Sequence, residues 1–123
     1  MLSRTEFAER FGRHSIFGMV HLKALPGAPM FGGSLDAVVA AAAADAHALA
    51  AGGCDGLVFE NFGDQPFRKH VDAETIAAMT RVIAEVVREI SIPHGVNVLR
   101  NDARAALAIA SATAAAFIRI NIP

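Results

Sequence analysis

Four short apolar runs, each closed by polar residues, divide the chain: Val20-His21-Leu22-Lys23, Leu57-Val58-Phe59-Glu60-Asn61, Val96-Asn97-Val98-Leu99-Arg100-Asn101 and Ile118-Arg119-Ile120-Asn121. The run around Phe59 begins after Gly52-Gly53 and ends at Glu60-Asn61 before another glycine. That is the pattern of a buried parallel strand delivering a carboxylate and an amide to a rim, so chemistry is expected at its carboxyl end. Between strands the apolar period lengthens to that of a helix. Ile76, Met79, Ile83, Val86, Val87 and Ile90 share one face, while Arg81, Glu85, Arg88 and Glu89 line the other.

Punctuation sets the boundaries. Ser3-Arg4-Thr5-Glu6 is a capping-box pattern for a short helix that Gly12 ends, so residues 1–14 read as a helix and lead-in forming a lid at the bottom of the core. A first strand is predicted over Ile16–Leu22, followed by a loop over Lys23–Gly33, whose prolines and glycines interrupt either regular ladder. Ser34 caps a helix running to about Ala51, stopped by Gly52-Gly53. The second strand leads into a loop, Phe62 to Val71, and Asp72 is a good N-cap for the helix after it. Ser91-Ile92-Pro93 breaks that helix, His94–Leu99 forms a third strand, and Asn101 or Asp102 caps an alanine-rich helix ending near Thr113. A fourth strand is expected over Phe117–Ile122. Strand and helix in alternation predict a parallel α/β fold with right-handed crossovers.

Side chains of a strand alternate between its faces. Leu57 and Phe59 therefore oppose Gly56, Val58 and Glu60; Val96 and Val98 oppose Gly95 and Asn97; Ile118 and Ile120 oppose Phe117, Arg119 and Asn121. Each strand has one apolar face for a helix layer and one face that carries its glycine or polar residues. If the sheet curls into a barrel, with alternate strands supplying one layer, Glu60 meets Arg119 and His21 meets Asn97. A buried arginine costs several kcal/mol unless paired, so a Glu60–Arg119 ion pair is predicted.

At 123 residues the chain is one modest domain with room for a core. Its 54% hydrophobic content with 19% charge is apolar for a globular protein, and some of that surface should need a partner. A net charge of -1 with both signs interspersed leaves no basic field for nucleic acid. The single cysteine, Cys54, cannot form an intramolecular disulfide and reads as a small buried residue. No signal-peptide pattern is present, which makes the cytoplasm the default. The longest apolar run, Ala37–Ala44, is far short of the roughly 20 residues of a bilayer span, so no membrane insertion is expected.

The motifs Gly18-Met19-Val20-His21-Leu22, Leu25-Pro26-Gly27-Ala28-Pro29, Asp55 through Asp64 with Pro66-Phe67, Gly95 through Asp102, and Phe117-Ile118-Arg119-Ile120-Asn121 occur in order. Together they resemble the BtpA/SgcQ family over nearly all of the chain. The resemblance implies a (β/α)8 TIM barrel of the ribulose-phosphate-binding type, of which four strands of eight are expected here, because family members are about twice this length. It also implies association with photosystem I biogenesis in cyanobacteria, and relatives in non-photosynthetic organisms that lie near sugar-metabolism genes. In such barrels the phosphate site usually follows strands seven and eight, outside the matching half. A half barrel has bare strand edges, so self-association or a missing C-terminal half is expected to complete it. A small doubly wound sheet is the alternative architecture.

Candidate chemistry follows strand ends. Glu60 reads either as a general base or as the partner of Arg119, two roles that are compatible. His21 stands where a barrel enzyme holds an acid-base imidazole, against the commoner packed histidine. Asn61 and Asn97 suit a polar ligand, though asparagine also ties down loops. Lys23 and Arg100, just past strand ends, suit a phosphate or carboxylate by point charge and by bidentate geometry, against simple solvation. Arg119 and Asn121 would orient a substrate. Asn101 and Asp102 read as a helix cap, Gly32-Gly33-Ser34 as a hinge, and His47 has no partner nameable from sequence. His21 with Glu60 is too weak a signal for a metal, and no cofactor is indicated. Two functions stay open: an acid-base enzyme or binder of a small polar or phosphorylated metabolite, and a non-catalytic accessory or assembly factor. An inactive fragment is a third outcome.

Overall fold

The alternation of period-2 and period-3.6 segments becomes a singly wound sheet. The computed structural model describes residues 1–12 and 14–121; Arg13 of the expected lead-in and Ile122 of the expected fourth strand lie outside the described residues. Helix α1 (Arg4–Phe11) precedes β1 (Phe17–His21), α2 (Leu35–Ala51), β2 (Gly56–Glu60), α3 (Ala73–Val87), β3 (His94–Asn97), α4 (Ala103–Thr113) and β4 (Phe117–Ile118). The strands are parallel and lie in chain order, β1-β2-β3-β4.

The starts and stops are local chemistry. Ser3 and Ser34 hydroxyls accept from the Glu6 and Ala37 amides, each worth about 1 kcal/mol as an N-cap. Gly12, at φ 65, ends α1 in a conformation that other residues avoid. Asp102 caps α4 through the Ala105 amide, and its second oxygen accepts from the Val71 amide at 2.8 Å. Asp72, expected to cap α3, occupies the cap position, but its carboxylate turns to Arg68 at 2.6 Å and makes no cap bond.

Val20, Leu22, Leu57, Phe59, Val96 and Val98 form one buried cluster with Val38, Ala42 and Ala46 of α2, Met79, Val82, Ile83 and Val86 of α3, and Ile109 and Ala110 of α4. These three helices thus share one face of the sheet, whereas a doubly wound sheet carries helices on both. Leu57, Phe59, Met79 and Ile83 are fully buried, each contributing about 1.5–3 kcal/mol of transfer free energy. No helix among the described residues is long and apolar enough to cross a membrane.

The opposite, inner face carries a phenylalanine cluster. Phe17 pairs with Gly56 and Phe117 with Gly95, and the rings lie over those glycines: a Cβ on Gly56 would sit 2.9 Å from the Phe17 ring, and one on Gly95 within 2.5 Å of the Phe117 ring. The two rings, from opposite ends of the sheet, meet at 5.3 Å, and Phe7 of α1 joins them at 6.1 and 5.6 Å. Helix α1 therefore closes the amino-terminal end of the inner face.

Three strands are shorter than expected. The first spans Phe17–His21 rather than Ile16–Leu22. The third stops at Asn97 rather than Leu99, because the side chain of Asn61 takes over the bonding of Leu99: Oδ1 accepts from its amide at 2.6 Å and Nδ2 donates to its carbonyl at 3.1 Å. The fourth ends at Ile118. Arg119 still donates to the Val96 carbonyl at 2.9 Å, but the Asn121 amide then turns to the Asn101 side chain at 2.9 Å.

His94 opens β3 on the helix side, buried at 6% exposure. The Thr113 hydroxyl spends its proton on the Ile109 carbonyl, so the 3.1 Å contact with His94 requires the imidazole to donate from Nε2. Burial pushes the His94 pKa down to about 4 from 6.5. The unfolded chain then binds the extra proton between those values, so stability is lost as pH falls from 6.5 toward 4, at up to about 1.4 kcal/mol per pH unit. Urea unfolding of the wild type against His94→Gln should show a stability gap at pH 7 that closes by on the order of 2 kcal/mol at pH 5. A pH-independent gap would mean His94 does not titrate with unfolding.

Candidate functional site

The polar residues of the inner face collect at the carboxyl ends of the strands. His21 pairs in register with Glu60 and Glu60 with Asn97, and Arg119 follows one position beyond the Val96–Ile118 pair. The four residues form one row across four strands. The expected split into a Glu60–Arg119 pair and a His21–Asn97 pair is corrected accordingly: all three partners converge on Glu60, the only acid of the row.

Glu60 is buried, with its side chain 7% exposed. Its Oε1 lies 3.3 Å from His21 Nε2, while Oε2 accepts from Asn97 Nδ2 at 2.6 Å and stands 3.8 Å from an Arg119 guanidinium nitrogen. The predicted Glu60–Arg119 pair is therefore on one face, at ion-pair rather than hydrogen-bond distance. His21 and Arg119 are half exposed, at 46% and 50%. The His21 ring stacks on Phe62 at 4.4 Å with a 16° tilt. Asn97 has no exposure. Because its Nδ2 must face the Glu60 carboxylate, its Oδ1 is turned away, buried and, among the described residues, without a hydrogen-bond partner.

Other expected site residues lie elsewhere. Both ends of the Asn61 amide are engaged by Leu99, a loop tie rather than a free binding group. Lys23 and Arg100 are exposed at the rim, and the Arg100 amide donates to the Arg68 carbonyl. Asn121 is half-buried, held through its amide by Asn101, which adopts φ 65. His47 has a partner in Glu89 at 3.2 Å. Cys54 is half-buried rather than buried. Among the described residues no group of three or more His, Cys, Asp or Glu side chains is arranged to hold a metal ion.

Sequence reasoning passed over Asp64. Its Oδ1 accepts from the Leu25 amide at 2.8 Å, which ties the loop after β2 to the loop after β1. Burial raises its pKa above the ordinary 3.8, against the lowering effect of the Leu25 and Asn61 hydrogen bonds. The signal was present as a turn, Asn61-Phe62-Gly63-Asp64, closed by the Asp64 amide on the Asn61 carbonyl at 3.1 Å. Phe62 was also missed, because a single aromatic in a loop carries no period.

Residues 12–122 match the model of the BtpA family. An uncharacterized protein of Archaeoglobus fulgidus is 53% identical over 87% of this chain and 43% of its own length. The photosystem I biogenesis protein BtpA of a Synechocystis species is 47% identical over 93% of the chain and 40% of its own length. SgcQ, named for the sgc region of Escherichia coli K12, is 43% identical over 85% and 40%. The chain thus spans less than half the length of these curated relatives. No solved structure matches it.

Proposed function

The chain belongs to the BtpA family, and on that premise we propose that its carboxyl-end row binds a small polar or phosphorylated metabolite, on a βα repeat that is the first half of a (β/α)8 barrel of the ribulose-phosphate-binding type. One observation carries the reading: the Asn97 amide oxygen is buried without a partner beside a carboxylate already met by Asn97, His21 and Arg119. A buried acceptor left unmade costs about 1–3 kcal/mol, a cost that a binding site offsets when a ligand supplies the donor. The oxygen is covered by its neighbours, and the half-exposed Arg119, at 3.8 Å from Glu60, is the side chain with room to swing aside. A ligand hydroxyl or ammonium then donates to Asn97, while Arg119 turns to an anionic group, with Lys23 and Arg100 adding charge at the rim. Barrel curvature is supported by the helices lying on one face and by the edge-strand phenylalanines meeting over two glycines.

In an acid-base reaction, His21 and Glu60 are the proton-moving pair, one half exposed and the other buried, 3.3 Å apart. Asn97, Arg119 and Asn121 orient the substrate. Asn61 serves as the loop tie. A second reading, an accessory factor using the same scaffold without turnover, draws on the name of the Synechocystis relative and on the apolar inner face; fold does not choose between them.

The test is an NMR titration of the 123-residue chain with ribose 5-phosphate and with glycerol 3-phosphate. The expected result is a saturable shift of the Asn97 side-chain amide and the backbone amides of Glu60, Asn97 and Arg119, at least tenfold weaker in Glu60→Gln. Signals of the row that stay unmoved, or titrate identically in Glu60→Gln, would sink the proposal.

A further inference from the structure

We propose that a cavity between the loops after β1 and β2, against the first turn of α3, binds a small aliphatic ammonium ligand through the Asp64 carboxylate. Its walls include none of the row residues His21, Glu60, Asn97 and Arg119. The site is therefore separate from the row and stands or falls without it. The cavity measures about 120 Å³. A cavity of about 150 Å³ accommodates benzene, so this one has room for roughly five non-hydrogen atoms.

Polar groups of the walls set the sign of the ligand. Asp64 is half-buried, and its Oδ1 is committed to the Leu25 amide at 2.8 Å. Among the described residues its Oδ2 meets only Asn61 Nδ2, at 3.5 Å, and that nitrogen already donates to the Leu99 carbonyl at 3.1 Å. Arg68, the one basic side chain of the walls, is held by Asp72 at 2.6 Å. The Asp64 charge thus has no cation in the cavity, and Oδ2 keeps capacity to accept. Burial raises the Asp64 pKa, the cost of holding a charge there unpaired, which a bound cation offsets. The positive end of α3 does not reverse the sign, since Asp72 at its cap and Glu74 in its first turn set two carboxylates there.

The other walls set the body of the ligand. Pro29, Pro66, Phe67, Val71 and Leu99 present apolar surface, and Thr75 adds a hydroxyl. A hard metal ion takes six or more oxygen ligands, which walls of this composition do not offer. They suit instead a chain of three or four carbons. An ammonium at its end is a compact charge with three N–H donors, one for Asp64 Oδ2 and the others for the Thr75 hydroxyl or water.

An NMR titration of the 123-residue chain with n-butylammonium chloride tests it, with n-butanol and sodium butyrate as controls of similar size. The expected result is a saturable shift of the Asp64, Arg68 and Thr75 backbone amides, at least tenfold weaker with either control, while the Asn97 side-chain amide stays unmoved. Asp64→Asn keeps an oxygen for the Leu25 amide but removes the charge, and should weaken butylammonium binding at least tenfold. Thr75→Leu fills the cavity from the helix side, and should abolish the shift with the circular dichroism spectrum kept. The absence of a saturable shift in wild type overturns the proposal. Butanol binding as tightly also overturns it, since the cavity is then an apolar crevice only, and so does tighter binding of butyrate. A shift led by the Asn97 side chain, or a folded Asp64→Asn or Thr75→Leu variant that titrates like wild type, has the same consequence.

Discussion

Gly63→Ala should destabilise the chain by about 3 kcal/mol or more, although it adds a single methyl group in a loop. A Cβ at this position would stand 2.7 Å from the Lys23 carbonyl carbon and 2.8 Å from the Leu22 carbonyl oxygen, and nearer still to the Ala24 nitrogen. All three are backbone atoms, so no side-chain rotation relieves the contact. The alternative is to separate the two loops, which removes the Gly63 amide's 3.0 Å bond to the Leu22 carbonyl and the 2.8 Å bond between Asp64 and the Leu25 amide. Gly56→Ala is milder, because its close neighbour at 2.9 Å is the Phe17 ring, which faces an open hollow of the inner face and can turn. Gly32→Ala, with nothing within 4 Å of the added carbon, should be close to neutral. Urea unfolding midpoints of the three variants give the ranking. A Gly63→Ala midpoint equal to that of Gly32→Ala would mean the loop pair is not held by backbone contact.

This position also marks the boundary between what the sequence made legible and what it did not. Period-2 alternation put Leu57 and Phe59 on the helix side and Val58 and Glu60 on the other, because the face of a strand residue depends only on its parity. Parity also put Arg119 on the face of Glu60, the one acid there, although Arg119 is half exposed and not the buried charge that the pairing argument assumed. Ser3, Ser34 and the glycines after α1 and α2 act through bonds three or four residues long, within reach of a local reading. What was illegible acts across loops: Asn61 reaches Leu99 over 38 residues and Asp64 reaches Leu25 over 39. Those contacts are created by the strand order, not by any spacing in the chain. They explain why β3 ends early and why Asn61 is unavailable to a ligand. Asp72 failed as a cap for a local reason instead: Arg68, four residues earlier, offered its carboxylate a charged partner.

The row at the carboxyl ends makes a sharper test through Asn97, where two substitutions of similar size should behave oppositely. Asn97→Asp sets a second carboxyl where Nδ2 now donates to Glu60 at 2.6 Å. Two buried carboxylates at that distance cannot both be ionised, so at pH 7 the folded variant must hold an extra proton or bear the repulsion. The expected cost is about 3–5 kcal/mol at pH 7. The folded variant binds more protons than its unfolded chain until pH falls through the ordinary carboxylate range, so its deficit against wild type should shrink on acidification. Asn97→Leu instead removes the 2.6 Å bond to Glu60 together with the buried oxygen that has no partner. These changes offset, and the net effect should be within about 1 kcal/mol of wild type, while binding of the sugar-phosphate probes is lost. That outcome would leave ligand binding rather than stability as what the fully buried Asn97 contributes. If Asn97→Leu instead costs the chain as much as Asn97→Asp, Asn97 is a structural partner of Glu60, and the ligand reading loses the observation that carries it.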